Sequence, residues 1–234
     1  AGLARLPRPE LALAAFAMAK SVVHILEAPV FNFHQTVVAL VKDKRTYRQA
    51  MAFKAVIMLG DMALLALVLF TPALSHVLQR WVGLEEPMLS STIMAARVLL
   101  LLPLATGMRN IYQGIAILAR RTPLIFVCTA VRLLFVLLVV FFGISHLTVL
   151  PGAVVGSLMF LGAMFTEVMT LYFGLRSTLA APSLYLGWQE EIEDYVLTPR
   201  IIVRFAAPLV VASLIKYVSE PIINVGLAQA DQPE

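Results

Sequence analysis

Lys20, His24, Glu27 and His34 stand at relative positions 0, 4, 7 and 14 of one apolar stretch. On a helix these offsets place four ionisable side chains on a single stripe. A charge at the bilayer centre costs about 2.5–3.5 kcal/mol on insertion scales, so such groups turn to a bundle interior or a wet cavity. Two roles are open to the stripe. In one it lines a cavity, Glu27 binds a coupling cation or proton, and the histidines titrate. In the other Lys20 snorkels outward, or Lys20 or His24 pairs with Glu27 within the bundle, and nothing moves through them.

A second group lies near the C-terminus, where Lys216 and Glu220 are spaced i, i+4 and are followed by Pro221 and Asn224. It forms either a self-neutralising pair, in the weaker Lys-to-Glu order, or part of a central cavity with backbone carbonyls opened by Pro221. A third group comprises Arg97 and then Thr106, Asn110 and Gln113 on one helical face, with Arg109 beside them. Arg97 is deep and needs a partner, whereas Arg109 can snorkel to the nearer interface. Asp61, Arg132 and Glu167 are single charges on separate segments, and Arg132 and Glu167 can pair between helices. The mechanistic expectation is that Glu27 and Glu220 approach each other or face one cavity, with Lys216 tuning their protonation.

Enzyme chemistry is not indicated. His24 and His34 are too far apart for a local metal site, and His76 and His146 sit near loops, whereas zinc needs convergent ligands. No His-x-x-x-His, Gly-x-Ser-x-Gly or phosphate-binding glycine loop occurs. No catalytic residue, metal ligand or cofactor is assigned, apart from Na⁺ or H⁺ as a coupling ion. Gly152, Gly156 and Gly162, with Ala153 and Ala163, suit close helix contact. Cys128 is the single cysteine, so no intrachain disulfide forms.

The elements that position these groups are apolar helices. Apolar residues make up 60% of the chain and charged residues 14%, with a mean hydropathy of +0.88, against roughly 45–50% and 25% in soluble domains. The fold class is all-α, a polytopic membrane protein. Spanning the hydrocarbon core takes about 20 mainly apolar residues, and six such segments are present, at about 10–41, 50–72, 88–118, 123–145, 148–176 and 199–225. The first is overlong and should kink at Pro29. The stretch 73–84, with Trp81, is amphipathic and interfacial. Pro123 and Pro199 open helices, the latter with Thr198 as N-cap.

Loop charge sets the orientation. The 42–49, 119–122 and 176–204 loops hold Lys42, Lys44, Arg45, Arg48, Arg120, Arg121, Arg176, Arg200 and Arg204, and the opposite side only Arg5, Arg8 and Arg80. The basic loops are therefore expected in the cytoplasm and both termini outside. Residues 178–198 form an interfacial linker with Tyr185, Trp188, Tyr195 and the acidic run Glu190 to Asp194. Gly226 to Glu234 repeats Gly2 to Glu10 at five of nine positions, 224 residues apart. Such an echo suggests one period of a two-period protein, so the chain is expected to be a fragment.

Arg204-Phe-Ala-Ala-Pro-Leu209, then Ser219-Glu-Pro-Ile-Ile-Asn224 and Gly226-Leu-Ala228, resembles the first helix of a repeat in the multidrug/oligosaccharidyl-lipid/polysaccharide flippase superfamily. So do Leu13-Ala-Ala-Phe16, Glu27-Ala-Pro29, Ala39-Leu-Val-Lys-Asp-Lys-Arg45, and the stretch from Arg109-Asn-Ile-Tyr-Gln-Gly114 to Arg120-Arg-Thr122. Within it the chain is most similar to multidrug-and-toxin-extrusion (MATE) transporters and bacterial relatives of the progressive ankylosis protein. The resemblance implies twelve helices in two bundles of six around a cavity worked by alternating access. Residues 1–177 would supply helices two to six, 178–198 the linker, and 199–234 the first helix of the second bundle. Helix one and most of the second bundle would be missing. No coupling signature of the family maps onto Lys216 or Glu220, so only fold and substrate class carry over.

Three functions follow as expectations. The first is cation-coupled export of small organic molecules by a MATE-type transporter of the plasma membrane. The second is a lipid-linked saccharide flippase or organic-anion carrier, favoured by Lys20, Arg97 and Lys216. The third is a membrane scaffold with every charge paired and no cavity. The expected partners are the lipid bilayer, a small or amphiphilic cargo and the remainder of the chain itself, with no nucleic acid.

Overall fold

The first apolar segment is too long for one straight span, and the chain breaks it twice. Helix α1 runs Pro9–Leu26, a short turn α2 covers Ala28–Phe31, and α3 covers Phe33–Leu40, with Glu27 and Asn32 at the two junctions. Pro29 sits in the first turn of α2, where its missing N–H costs nothing. The kink expected at Pro29 is thus a pair of breaks around it. The computed structural model describes residues 9–143, 150–180 and 196–230, without the side chains of Trp81 and of residues 220–230.

Helix α4 spans Lys44–Phe70 and begins earlier than hydropathy alone suggests, because Asp43 caps it. The Asp43 carboxylate accepts from the Thr46 amide at 2.7 Å, and the Thr46 hydroxyl accepts from the Asp43 amide at 3.0 Å, a reciprocal cap. Lys44, Arg45 and Arg48 therefore lie on the first turns of α4 rather than in a 42–49 loop. Helix α5 (Ala73–Trp81) is amphipathic as expected, with Leu74 and Leu78 buried and His76, Gln79 and Arg80 exposed.

The third segment divides into α6 (Met88–Val98), a tight 3₁₀ turn at Leu99–Leu101, and α7 (Leu102–Leu118). Pro103 falls in the first turn of α7, where it disrupts the hydrogen-bond ladder least. Helix α8 covers Thr122–Leu138 and ends in a wider π turn at Val139–Gly143; α9 covers Gly152–Ala180 and α10 Pro199–Ala230. Because α9 continues to Ala180, the linker expected from 178 begins later. Tyr185, Trp188, Glu190, Asp194 and Tyr195 lie outside the described residues, as do both copies of the terminal echo except Pro9 and Glu10 and the backbone from Gly226 to Ala230. Among the described residues every regular element is helical, and six helical segments are long and apolar enough to cross a membrane.

Small residues set the spacing of the bundle. Helix α1 packs on α6 and α9, α3 on α7, and α9 on α7 and α8. Ala15 and Ala19 share a core with Ala95, Ala96, Ala105 and Ala153, so backbones approach closely. The tightest useful example is Gly114. A Cβ there would lie 2.8 Å from the Cβ of Val37 and 3.2 Å from the His34 carbonyl oxygen. Gly114→Ala is expected to force α3 off α7 and cost about 1–3 kcal/mol, the range for overpacking. Thermal unfolding in detergent measures it; an unchanged melting temperature would refute the close approach.

Burial separates the spans. Only 6% of the most apolar stretch of α8 is buried within the bundle against 50% for α9, so α8 turns most of its surface outward. Helix α10 lies along the broken helix. Asn32 donates through Nδ2 to Ser213 Oγ at 2.6 Å and to the Leu209 carbonyl at 3.2 Å. Leu197 and Ile202 join Phe33, Val37, Val41 and Ala50 in a second core. Helix α10 continues through Pro208 and Pro221, neither of which has an N–H to give the carbonyl four residues before it.

Candidate intramembrane site at a broken helix

Interrupting a helix frees backbone carbonyls, and inside a bundle these need donors. Two side chains supply them. Lys54 Nζ donates to the Val30 carbonyl at 2.7 Å, and Asn110 Nδ2 donates to the same oxygen at 2.9 Å and also to the Phe31 carbonyl. The Lys54 ammonium stands 4.6 Å from the Phe33 ring centroid, a cation–π contact. Lys54 comes from α4 and Asn110 from α7, so two helices clamp the break. The spacing explains why. Thr46, Ala50, Lys54, Asp61, Leu65 and Leu69 form the buried stripe of α4, at helical intervals.

Glu27, at the first junction, is fully buried, and neither carboxylate oxygen accepts a hydrogen bond. The Thr106 hydroxyl faces it without closing a well-formed bond, and Asp61, Arg109 and Lys54 lie within electrostatic range. Asp61 Oδ2, Thr106 Oγ1 and Asn110 Oδ1 are likewise buried without donors. A buried acceptor without a donor costs on the order of 1–3 kcal/mol, and a bare carboxylate more. Oxygen atoms therefore collect here in a state that a proton or a hard monovalent cation would relieve. Among the described residues no three His, Cys, Asp or Glu side chains converge as a metal site.

A second network lies on the α9 side. Glu167 Oε2 meets Arg132 at 2.8 Å and Arg109 at 3.9 Å, while its Oε1 accepts from Gln113 at 3.2 Å. The pairing of Arg132 with Glu167 between helices is thus present. Arg109 does not snorkel. Its guanidinium turns inward, 3.6 Å from Met164 Sδ and 6.0 Å from the Phe31 ring centroid.

The sequence-selected residues divide accordingly. Glu27, Asn110 and Gln113 enter these two networks. His24 is buried with Nε2 unpartnered, its ring edge-on to Tyr217 at 5.1 Å and to Phe31 at 5.6 Å. His34 is half-buried on α3, within electrostatic range of Arg109 and Lys54. The single continuous stripe from Lys20 to His34 does not exist, because the helix breaks at Glu27 and Asn32. Lys20 is half-buried over Phe160. Arg97 is on the outer surface of the bundle; its Nε donates to the Leu69 carbonyl at 3.3 Å and its guanidinium covers Phe70 at 5.1 Å. Lys216 is exposed beside Tyr217, within electrostatic range of His24. The side chains of Glu220 and Asn224 lie outside the described residues, and so does the expected approach of Glu220 to Glu27. Lys54 is the residue that sequence reasoning missed. It lies just beyond the basic 42–49 stretch but shares its stripe with Asp61, two turns on, and that spacing was the available signal.

Comparison of the chain with protein-family models, curated proteins and solved structures found no match.

Proposed function

We propose that the protein is a secondary transporter of MATE type, which exports small organic molecules by alternating access against Na⁺ or H⁺, with Glu27 as the coupling acid. The observation that carries this reading is the buried, hydrogen-bond-free Glu27 carboxylate at a twice-broken helix whose freed carbonyls are held by Lys54 and Asn110. Discontinuous helices with polar groups at mid-membrane are a recurring transporter device. A pure scaffold has no use for an unsatisfied acid buried in its bundle.

In this proposal residues 1–177 belong to the first bundle and α10 opens the second. The basic loops face the cytoplasm of a plasma membrane. A proton or Na⁺ on Glu27 removes its charge, loosens its attraction to Lys54 and lets the clamp on Val30 shift. The same junction then swings between two arrangements, one for each side of the membrane.

The test is reconstitution into liposomes loaded with a fluorescent organic cation, under an imposed pH or Na⁺ gradient. Gradient-dependent flux above that of protein-free vesicles is expected. Equal flux in both would sink the proposal. Flux of a carboxylated dye, with none of the cation, would favour the organic-anion carrier, a reading that the intramembrane cations Lys20, Arg109 and Arg132 support.

A further inference from the structure

Glu27 follows directly on the C-terminus of α1, where helical carbonyls point forward and the macrodipole is negative. A carboxylate there is the reverse of the favourable arrangement, and a cation is the group that suits such an end. Two of the terminal carbonyls have lost their helical donors. Pro29 has no N–H for the Ile25 carbonyl, and the Val30 amide turns to the Glu27 carbonyl at 2.9 Å instead of that of Leu26. On α7, Thr106 and Asn110 stand one turn apart on one face. Each is at most 1% exposed, and Thr106 Oγ1 and Asn110 Oδ1 have no hydrogen-bond partner. Asn110 Nδ2 is committed to the Val30 and Phe31 carbonyls, so its oxygen lies within one amide's width of the break. The Thr106 hydroxyl faces Glu27.

We propose that this junction binds one Na⁺, held by the Glu27 carboxylate, Thr106 Oγ1 and Asn110 Oδ1 against the carbonyl end of α1, and that Na⁺ rather than a proton is the coupling ion. The second half of that statement rests on the transport reading; the binding site does not. A proton adds one donor and satisfies one acceptor, whereas a single hard cation gathers several oxygens. Four unpartnered oxygens on three side chains therefore favour the metal ion. No protein cation takes its place. Lys54 donates to the Val30 carbonyl and forms no ion pair with Glu27 or Asp61 among the described residues. Arg109 turns its guanidinium to Glu167 and Met164. Of the chain's lysines and arginines, only Arg5 and Arg8 fall outside the described residues. Both precede α1, whose start is about 27 Å along the helix axis from Glu27, beyond the reach of a side chain. The ion is monovalent, because Lys54 and Arg109 are both within electrostatic range of Glu27 and oppose a second added charge.

The experiment is equilibrium dialysis of radiolabelled Na⁺ against the full protein in a neutral maltoside detergent, with ionic strength held by choline chloride. Saturable binding of one Na⁺ per chain is expected, displaced by unlabelled Na⁺ but not by further choline. Thr106→Val keeps the shape of the side chain and removes its oxygen. It should weaken binding at least about tenfold, which corresponds to about 1.4 kcal/mol, and Thr106→Ser should retain it. Glu27→Gln should weaken it further than Thr106→Val. Circular dichroism and gel filtration show that each variant is folded. Absence of saturable binding to the wild type overturns the proposal, as does unchanged binding in folded Thr106→Val or Glu27→Gln. Proteoliposome flux separates this outcome from the fate of the transport reading. Flux driven by a pH gradient, with no Na⁺ bound, overturns the Na⁺ assignment and leaves the transporter standing. Saturable Na⁺ binding without flux in either gradient upholds the site and removes the transporter.

Discussion

Glu27→Gln is expected to reduce gradient-driven flux by about 5–150-fold, the range of a coupling free energy of 1–3 kcal/mol, while the protein remains folded. The amide keeps the shape of the side chain and removes its ability to bind a proton or cation. Neither carboxylate oxygen accepts a hydrogen bond in the native bundle, so no bond is lost and the melting temperature should stay level or rise. Residual flux should also stop responding to the imposed ion gradient. Proteoliposome flux and thermal unfolding, measured on the same preparation, read the two effects separately. Wild-type coupling in the variant would remove Glu27 from the mechanism. A large drop in melting temperature with coupling intact would make it a structural group.

Lys54→Met is expected to lower stability by about 3–5 kcal/mol, the usual cost of deleting one partner from a buried set of charges. Methionine conserves much of the stem, so packing changes little and the loss is electrostatic. The Val30 carbonyl loses its 2.7 Å donor, Phe33 loses a cation at 4.6 Å, and Glu27 and Asp61 lose the ammonium within electrostatic range of both. Adding Asp61→Asn should restore part of the stability, because one stranded carboxylate is then neutral. A double-mutant cycle with a coupling of about 0.5–3 kcal/mol is anticipated. Strict additivity of the two substitutions would show that Lys54 serves the helix break alone and does not balance the acids.

Much of the fold was legible before any coordinates. Six apolar segments, the amphipathic stretch ahead of Trp81 and the proline-led starts of α8 and α10 follow from length, hydropathy and proline chemistry, and the helices fall where those rules place them. The misplacements have physical causes. Hydropathy treats Lys44, Arg45 and Arg48 as loop, while the reciprocal Asp43–Thr46 cap extends α4 through them. One proline predicts one kink, whereas Pro29 is bracketed by breaks at Glu27 and Asn32. The site was half legible. Glu27, Asn110 and Gln113 stand out because polar groups in apolar segments must have a reason. Lys54 escapes that filter because it lies only three turns inside a helix whose start is basic. Its burial is set by its partner, a carbonyl exposed by a break on another helix, and within α4 only its two-turn spacing from Asp61 points to it. Arg97 stands on the outer surface of the bundle, and its partner is a carbonyl of α4 rather than a charge.

The unequal apolarity of the spans bears on how the chain enters a bilayer as it is made. The segment Pro9–Leu26 is the least apolar of the six and carries Lys20 and His24, while Thr122–Phe142 is the most apolar. The helices that cover α1, namely α6 and α9, are translated after it. During synthesis α1 therefore meets the insertion machinery before α6 and α9 exist to cover its polar groups, a poor substrate for release into lipid at that stage. Its residence there should lengthen until α6 and then α9 emerge. Truncated nascent chains ending before Gly152 should consequently hold α1 less firmly in the membrane than chains extending past Ala180.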